Sequence, residues 1–356
     1  MFDLTELFIP LTDASEGHLV SRSPYGQGAI RVVAPLKAGL AGGGSDLPSY
    51  YEASPGQCLN LALDIAVTVT YTSASAPGQA SFTVPEPADV RLGTTMVDAV
   101  GLTRTGDVHV RLAAGPGRGL GCSSALAVAL VMVQRALSGL PATPGDVAEA
   151  AWRLEACELA QPVGKQDHYA SAFGGVNEFS FRPEGVGVHP LRLSPPGAEL
   201  LENSLLVASV GEPRTARDTL SRQNDSCRNG VDSVRAAIAE RVRLVPEFRT
   251  ALAAGDHARL ARLMRYDWSV KAGLDPGMYD VTVEAALAQA VDVGALAARL
   301  LGAGRSGYLL LLAPPGRRDA IVRVLGAHFR DVRPVRPSRR GVWLGRAGEA
   351  IRKVPV

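Results

Sequence analysis

The sequence is poor in the features that mark several classes of protein. Its 37 basic and 35 acidic residues give a formal net charge of only +2 over 356 residues. It therefore lacks the concentrated excess of Lys and Arg that a nucleic-acid groove or a polybasic membrane contact needs. Its strongly apolar runs are well short of the roughly 20 residues that cross a bilayer. We expect no nucleic acid and no membrane as partners, and a small molecule as ligand.

Cysteine, histidine and lysine are also scarce. The four cysteines lie far apart without a CxxC pair, and the six histidines form no cluster at metal-ligand spacing, which argues against a structural zinc site. The chain opens without the apolar segment of a secretory signal. These absences favour a reduced, cytoplasmic protein. Only four of the basic residues are lysines, so the position of each lysine is informative.

Proline and glycine divide the chain into three parts. Residues 1–27 show no sustained periodicity and are predicted to form a leader arm. This arm is either a dimer contact, which would make the protein a homodimer, or the result of a misassigned start. The cluster LSPPGAE at 193–199 marks a boundary between a first domain, 28–195, and a second, 196–356.

Strand and helix patterns occur in segregated runs, which predicts an α+β fold rather than a doubly wound sheet. Beta-branched strand patterns dominate the first third of the chain, and an apolar helix is predicted over 125–137. In the second domain, helices are predicted within 236–264 and over 278–301, with a strand over 307–314.

The stretch GPGRGLGCSSALAVAL, residues 115–130, places alternating glycines directly before a helix. Such a loop exposes unpaired N–H groups beside the positive end of the helix dipole, which suits phosphate. The loop lacks the lysine of a Walker A motif. Ser123 and Ser124 lie in the first helical turn, where a hydroxyl can bind a phosphate oxygen or Mg²⁺. The alternative is that serine only caps the helix.

A second glycine pattern, GAGRSG at 302–307, matches the dinucleotide fingerprint letter for letter. The predicted context is inverted, because a helix precedes the glycines and a strand follows them. The loop therefore cannot present a helix N-terminus to a pyrophosphate.

Three segments, in their order along the chain, resemble the motifs of the GHMP kinases, the superfamily of galactokinase and of homoserine, mevalonate and phosphomevalonate kinases. APLKAGLAGGGSD (34–46) is similar to the first motif, PGRGLGCSSALAVAL (116–130) to the second and LGAGRSGYLLL (301–311) to the third. The segments GGGSDLPSYY, GKQDHYASAFGGVN and GALAARLLGAG most resemble the D-glycero-D-manno-heptose 7-phosphate kinase branch.

The resemblance implies an α+β GHMP kinase fold. This fold has a ribosomal protein S5 domain 2-like N-terminal subdomain with a left-handed βαβ unit, an exception to the usual crossover, and a ferredoxin-like C-terminal subdomain. The active site is expected between them. The implied reaction transfers the γ-phosphate of ATP, with Mg²⁺, to a small-molecule hydroxyl. In the heptose branch the acceptor is the anomeric hydroxyl of a heptose 7-phosphate, and the product is the 1,7-bisphosphate.

Carried over residue by residue, the resemblance assigns catalytic roles to two residues. Asp167 matches the acid that faces the attacking hydroxyl, and Lys37 matches a cation near the transferring phosphoryl group. The alternatives are a surface or capping carboxylate and a solvated strand-end lysine. Ser123, or failing that Ser124, matches the Mg²⁺-binding serine. The residues implied to bind the triphosphate are Pro116, Gly117, Gly119, Leu120, Gly121, Cys122, Ser123 and Ser124.

The resemblance also implies a sugar-binding set. Asp46 matches the acid that hydrogen-bonds sugar hydroxyls in galactokinase-like members, and its alternative is a plain turn aspartate. Arg214 is the expected bidentate partner for a second phosphate on the substrate, although a surface ion pair explains it as well. The residues implied to bind the substrate are Gly43, Gly44, Ser45, Asp46, Lys165, Gln166 and Arg214.

Several departures from the branch put the acceptor in question more than the kinase reaction. Cys122 stands where a serine is usual, Arg305 and Ser306 where glycines are usual, and Arg299 where a lysine is common. The alternatives are a fucokinase-like or galactokinase-like enzyme, a decarboxylase of the mevalonate-diphosphate kind, and a non-catalytic ligand sensor. The GGGSD turn speaks against the decarboxylase, and the joint presence of Asp167, Lys37 and both serines speaks against the sensor.

Overall fold

A computed structural model describes residues 29–84, 90–115, 118–210, 217–273, 281–302 and 307–346. The predicted leader arm lies outside these ranges, as do Pro116, Gly117, Arg214, Arg305 and Ser306. Within them, no helix is both long and apolar enough to span a membrane.

The larger sheet is built around one long strand. This central strand is β2 (Gly56–Ser73). It pairs with β1 (Ile30–Ala41) along most of its length, with β5 (Val176–Arg182) through its first half and with β4 (Gly106–Arg111) through its second half. The pairing of β3 with β4 is parallel, and the other pairs are antiparallel. The strands of this sheet are β1 (Ile30–Ala41), β2 (Gly56–Ser73), β3 (Ala80–Thr83), β4 (Gly106–Arg111), β5 (Val176–Arg182), β6 (Gly185–Pro190) and β11 (Trp343–Arg346).

The helices of the first part pack on this sheet. The third helix is apolar on nearly all sides and most of its residues are buried, as expected of a helix inside a core. Thr143 caps the fourth helix through a hydrogen bond from the Asp146 amide, as is typical of threonine before a helix. The helices are α1 (Pro48–Tyr51), α2 (Arg91–Val100), α3 (Cys122–Leu137), α4 (Pro144–Arg153), which continues as a π-helical stretch over Leu154–Glu158, and α5 (Gln166–Phe173).

The second part contains an antiparallel sheet in the order β10-β7-β9-β8, covered by helices. The region predicted as helical within 236–264 consists of three helices separated at Leu244 and at Gly255–Asp256. The elements are α6 (Pro195–Asn203), β7 (Leu205–Val210), α7 (Arg217–Arg228), α8 (Asp232–Arg243), α9 (Val245–Ala254), α10 (His257–Ala272), α11 (Val281–Asp292), β8 (Ala297–Leu300), β9 (Gly307–Leu312), α12 (Arg318–Leu325) and β10 (Val332–Pro334).

The predicted helix over 278–301 is wrong at its C-terminal end. The helix α11 ends at Asp292, Gly294 has a positive φ of 99°, and Ala297–Leu300 form a strand paired with β9. The sequence AARL consists of good helix formers, but pairing with the buried strand β9 outweighs that preference. The third glycine segment therefore joins two antiparallel strands.

The two parts share a core. Alternate residues of β7 and β9 face opposite sides, as strand geometry requires. Leu205, Val207 and Leu310 belong to the core of the larger sheet. Leu206, Leu309 and Leu311 pack with residues of α11 and α12. The predicted boundary after residue 195 falls at the start of α6, and the division into two domains stays a prediction.

The end of the described chain returns to the larger sheet. Strand β11 pairs with β1, and the segment before it contacts the carboxyl end of α5. The Gly175 amide donates to the Ser338 carbonyl at 2.6 Å, and the Val342 amide donates to the Ala172 carbonyl at 3.2 Å. Gly174 has a φ of 69°, and a Cβ there would lie 2.1 Å from the Arg340 carbonyl carbon. Only glycine fits this approach.

We therefore expect Gly174→Ala to destabilise the fold more than Gly139→Ala. Both glycines have positive φ, 69° and 64°, but a Cβ on Gly139 meets nothing within 4 Å. Both variants place a side chain at positive φ, and Gly174, with ψ −174°, lies in a region that is essentially restricted to glycine. Gly174→Ala also adds a clash that costs about 1–3 kcal/mol. Urea denaturation measures the difference. Equal shifts of the two midpoints would show that the return segment does not pack against Gly174.

Candidate active site

Strand β1 brings Lys37 to the glycine loop that precedes α3. The register of β1 on β2 shifts between Pro35 and Lys37, where the missing N–H of proline disrupts the ladder. The Lys37 amide then donates to the Leu120 carbonyl at 3.0 Å. This hydrogen bond joins the first glycine motif to the second.

Lys37 and Asp167 form an ion pair at this junction. The Lys37 Nζ lies 2.7 Å from Asp167 Oδ1, and the two side chains are 7% and 28% exposed. Asp167 lies in the first turn of α5. A Cβ on Gly121 would lie 3.2 Å from Asp167 Oδ2 and 3.2 Å from Lys37 Cγ. The structure therefore places both predicted catalytic residues against the N-terminus of α3.

The second and third glycine segments touch through their backbones. Gly119 and Gly302 have φ of 88° and 69°, and a Cβ on Gly302 would lie 2.4 Å from the Gly119 Cα. The Tyr308 amide donates to the Arg118 carbonyl at 3.0 Å. The third segment joins the strands β8 and β9, so the prediction that a helix precedes it is wrong. The conclusion that this segment does not open a helix is unaffected, because a strand follows it. The third segment shapes the loop of the second.

The two serines at the start of α3 lie next to a buried carboxylate, Glu155, which was not predicted from the sequence. The Ser124 hydroxyl donates to Glu155 Oε2 at 2.8 Å, and His168 Nε2 lies 2.8 Å from the same oxygen. Ser123, in the same helical turn, also lowers the pKa of the Glu155 carboxyl. Burial raises the pKa of the Glu155 carboxyl, but His168 and the two serines outweigh burial, so the net pKa lies below its usual value. Glu155 lies in the π-helical stretch, a feature frequent at functional sites.

Cys122, the departure in the second motif, points into the protein. Its thiol donates to the Ala114 carbonyl at 3.2 Å, and burial raises its pKa to about 12. The position therefore offers a backbone amide rather than a side chain to a ligand.

A small apolar pocket lies beside the start of α3 and adjoins Ser123. Residues of β3, α2 and α3 line it. Its apolar lining includes Phe82, Val90, Leu92, Met96, Leu112 and Leu126.

The glycine turn after β1 is held by Asp46. The buried Asp46 carboxylate accepts hydrogen bonds from the Gly44 amide at 3.1 Å, from Gln166 Nε2 at 2.8 Å and from the Gln166 amide at 3.1 Å. Burial, and then the charge of Asp167, raise its pKa. The Ser45 hydroxyl donates within the turn, to the Gly42 carbonyl at 2.8 Å. Asp46 thus fixes the turn and Gln166 at the start of α5.

Gln166 lies beside the Lys37–Asp167 pair, and a second missed residue joins it. Around the position that a Cβ on Gly39 would take, Asn60 Oδ1 lies at 3.3 Å, Gln166 Oε1 at 3.5 Å and Lys37 Nζ at 3.5 Å. The Asn60 amide is fully buried, and neither of its polar atoms has a hydrogen-bond partner among the described residues. Buried polar groups are nearly always satisfied, so the Asn60 amide is a candidate ligand contact.

Lys165 is placed differently from its neighbours. Its ammonium donates to both carboxylate oxygens of Glu149, at 2.9 and 2.8 Å, and lies 4.2 Å from the centre of the Trp152 ring. The Lys165 ammonium therefore binds side chains of α4 and does not contact the Lys37–Asp167 pair.

The chain has clear relatives. Residues 93–175, which include the second glycine motif and Asp167, match the family described as GHMP kinases N terminal domain. This part of the chain is a GHMP kinase N-terminal domain, and the whole adopts the α+β GHMP kinase fold. These comparisons indicate a phosphotransferase, as the three motifs predicted.

The similar proteins include sugar kinases. The chain is 24% identical over 319 residues to D-glycero-alpha-D-manno-heptose 7-phosphate kinase of Campylobacter jejuni, covering 83% of this chain and 93% of that protein. A crystal structure of a D-glycero-D-manno-heptose 1-phosphate kinase from Bacteroides thetaiotaomicron superposes with a TM-score of 0.69 at 22% identity. The match covers 89% of this chain and 99% of that chain. The structure of Lactococcus lactis galactokinase with galactose gives a TM-score of 0.67 at 13% identity. The match covers 88% of this chain and 95% of that chain.

The buried Glu155 generates a prediction about pH. Its folded pKa lies below the unfolded value near 4.5, so its ionised form stabilises the fold above that value, and this stability is lost as the pH falls through the folded pKa. We expect Glu155→Gln to cost about 1–3 kcal/mol at pH 7, because buried donors lose an ionised acceptor. The gap from the wild type should narrow as the pH falls below about 4.5.

Urea denaturation at several pH values measures this gap. Glu158→Gln is the matched control, because burial raises the pKa of Glu158 in the same π-helical stretch. A gap of the same sign in the control, or a gap for Glu155→Gln that is independent of pH, would contradict the assignment.

Proposed function

We propose that the protein transfers the γ-phosphate of ATP to the anomeric hydroxyl of a heptose 7-phosphate and so forms the 1,7-bisphosphate. The observation that carries the proposal is the 2.7 Å ion pair of Lys37 and Asp167 beside Gly121. A carboxylate that can take a proton and an ammonium that can stabilise phosphoryl charge stand together at a helix N-terminus.

The loop before α3 is the proposed site for the triphosphate. Gly121 is the N-cap of α3, and no side chain caps the helix, so the first-turn amides are open to an anion. We propose that the nucleobase packs against the apolar residues that line the adjoining pocket. Gly119, Leu120, Cys122 and Ser124 contribute backbone to this loop, and Pro116 and Gly117 are proposed to complete it.

The residues present fit a Mg²⁺ ion. Hydroxyl and carboxylate oxygens suit this cation, and Mg²⁺ typically uses one or two carboxylates together with waters and substrate phosphates. We propose that Ser123 and Glu155 hold it, because the Ser124 hydroxyl already donates to Glu155. When bound, Mg²⁺ would neutralise charge on the phosphate oxygens.

The proposed chemistry of this chain's residues is proton acceptance and charge stabilisation. Asp167 accepts the proton of the acceptor hydroxyl as the hydroxyl oxygen bonds to the γ-phosphorus of ATP. The bond between the γ-phosphorus and the oxygen of the leaving ADP breaks in the same step. Lys37 donates to an oxygen of the transferring group. Gln166, held by Asp46, and the unpaired amide of Asn60 are placed to orient the sugar hydroxyls.

The choice of acceptor rests on the relatives. One relative carries the name of a heptose 7-phosphate kinase and another that of a heptose 1-phosphate kinase. Both names describe an acceptor that already bears a phosphate. We extend this feature to the present chain, with Gly43, Gly44 and Ser45 of the glycine turn at the sugar and Arg214 near its phosphate. We also propose that the site lies between domains 28–195 and 196–356 and works in the cytoplasm.

The first test is the acceptor specificity. Release of ADP is measured with Mg²⁺-ATP against heptose 7-phosphate, heptose 1-phosphate, hexose 6-phosphates, fucose and galactose, and phosphorus NMR locates the new phosphate. We expect selective turnover of heptose 7-phosphate with a new anomeric signal. Turnover of a free sugar alone would reject the phosphorylated acceptor and favour a fucokinase-like or galactokinase-like enzyme. ATP binding without turnover of any acceptor would favour a ligand sensor.

We expect Asp167→Asn to lower kcat by about 10²- to 10⁴-fold, the contribution typical of a positioned general base, while ATP binding is retained. Steady-state kinetics and nucleotide titration measure the two effects. Asp98→Asn, at an exposed aspartate of α2, serves as the control and should leave both unchanged. Normal turnover by Asp167→Asn would remove Asp167 from the chemistry.

A further inference from the structure

Three buried cations lie next to the candidate site with a single carboxylate among them. Arg241 of α8, Lys271 of α10 and Arg299 of β8 are 3–5% exposed, and Asp267 is fully buried. Asp267 accepts from Arg241 Nε at 2.8 Å and lies 2.7 Å from Arg299 Nη1. These four residues, here named the cation cluster, combine two permanently charged guanidinium groups and one lysine amine with a single carboxylate.

This imbalance is costly in a protein interior. Buried charges are normally paired, because an unpaired charge loses its hydration without compensation. Burial, and then the neighbouring Arg241 and Arg299, hold the pKa of Lys271 well below its usual range. Its ammonium donates to the carbonyls of Leu300, at 2.9 Å, and Gly302, at 2.6 Å, and lies 5.7 Å from the centre of the Trp268 ring. None of these contacts supplies a negative charge. An anion bound at the cluster would offset the excess of positive charge.

The cluster borders the first and third glycine motifs. Arg241 Nη1 donates to the Gly43 carbonyl at 2.6 Å, and Arg299 Nη1 donates to the Leu40 carbonyl at 2.5 Å. Lys271 donates to Gly302, as described above. A Cβ on Gly43 would lie 3.5 Å from Arg241 Nη2 and 3.6 Å from Gln166 Nε2. Arg241 is thus separated from the Lys37–Asp167 pair by the glycine turn and the Gln166 side chain.

Donors remain in the cluster for a ligand. Arg299 Nε is buried and has no hydrogen-bond partner among the described residues. Lys271 gives two of its three ammonium hydrogens to carbonyls, and these two hydrogen bonds supply no negative charge. Guanidinium and ammonium groups together are the side chains that bind phosphate oxygens.

We propose that the cation cluster binds the phosphate that the acceptor already carries, and that it selects phosphorylated over unphosphorylated sugars. This inference rests on the proposed function. A phosphate monoester carries a charge of about −1.5 to −2 at pH 7, which would offset the positive charge of the two guanidinium groups and favour the charged form of Lys271. The phosphate at one end of the acceptor would then hold the molecule while its reacting hydroxyl meets Asp167.

The test is Lys271→Met, which keeps the buried stem and removes the charge. Against heptose 7-phosphate we expect kcat/KM to fall about 10- to 100-fold, as for the loss of one charge-assisted hydrogen bond, mainly through KM. We expect the KM for ATP to stay within about twofold, since the proposed triphosphate site is at α3. The urea midpoint should not fall, because a buried ammonium is removed.

Arg318→Met is the matched control. Arg318 is also buried and donates to a carbonyl, that of Glu202 at 2.5 Å, but it lies at the start of α12. It should leave both KM values unchanged. A second pair of variants guards against a folding defect at Lys271: Arg299→Gln should raise the KM for heptose 7-phosphate, and Arg299→Lys should restore it.

The outcomes separate this inference from the proposed function. An unchanged KM for heptose 7-phosphate in Lys271→Met and Arg299→Gln would overturn the cluster's role, even if the wild type turns over that acceptor. If these variants raised the KM for ATP but not the KM for heptose 7-phosphate, the cluster would bind the nucleotide, and the proposed role in binding the acceptor phosphate would be overturned. A lower urea midpoint with unchanged kinetics would make the cluster structural. Equal wild-type turnover of phosphorylated and unphosphorylated heptose would contradict both proposals.

Discussion

The candidate site depends on a backbone contact between two glycines. Gly119 and Gly302 approach so closely that a Cβ on Gly302 would lie 2.4 Å from the other Cα, and both have positive φ. Glycine alone tolerates the two conditions together. Because this contact joins the loop before α3 to the loop between β8 and β9, it links the two sheets at the point where Lys37 and Asp167 meet.

Two electrostatic arrangements lie on either side of that contact. Behind the loop before α3, Glu155 is compensated by His168 and the two serines. Beside the third glycine segment, Arg241 and Arg299 both pair with Asp267, and Lys271 has no carboxylate partner among the described residues. The first arrangement is complete without an anion, as expected for a scaffold that positions hydroxyl and carboxylate oxygens for a cation. The second gains stability from an added negative charge, as expected for a receptor of anions.

Much of the site could be predicted from sequence because its loops are local motifs. Lys37, Gly121 and Asp167 lie in glycine-rich segments, and the structure brings them into contact. Glu155 gave no such signal, since a single acid in an amphipathic helix is ordinary and the π-helical stretch that turns it inward depends on tertiary packing. Arg241, Asp267 and Lys271 lie on two separate helices without a motif. The strand Ala297–Leu300 was missed because its pairing with β9 overrides the helical preference of its residues.

The central claim is that the Lys37–Asp167 pair and the start of α3 form the phosphoryl-transfer centre. The most direct measurement is a crystal structure with Mg²⁺ and a non-hydrolysable ATP analogue. The account predicts the triphosphate on the first-turn amides of α3, with the γ-phosphate beside Lys37 and Asp167 and the cation near Ser123 and Glu155. An analogue bound elsewhere, or one whose γ-phosphate points away from Asp167, would contradict it.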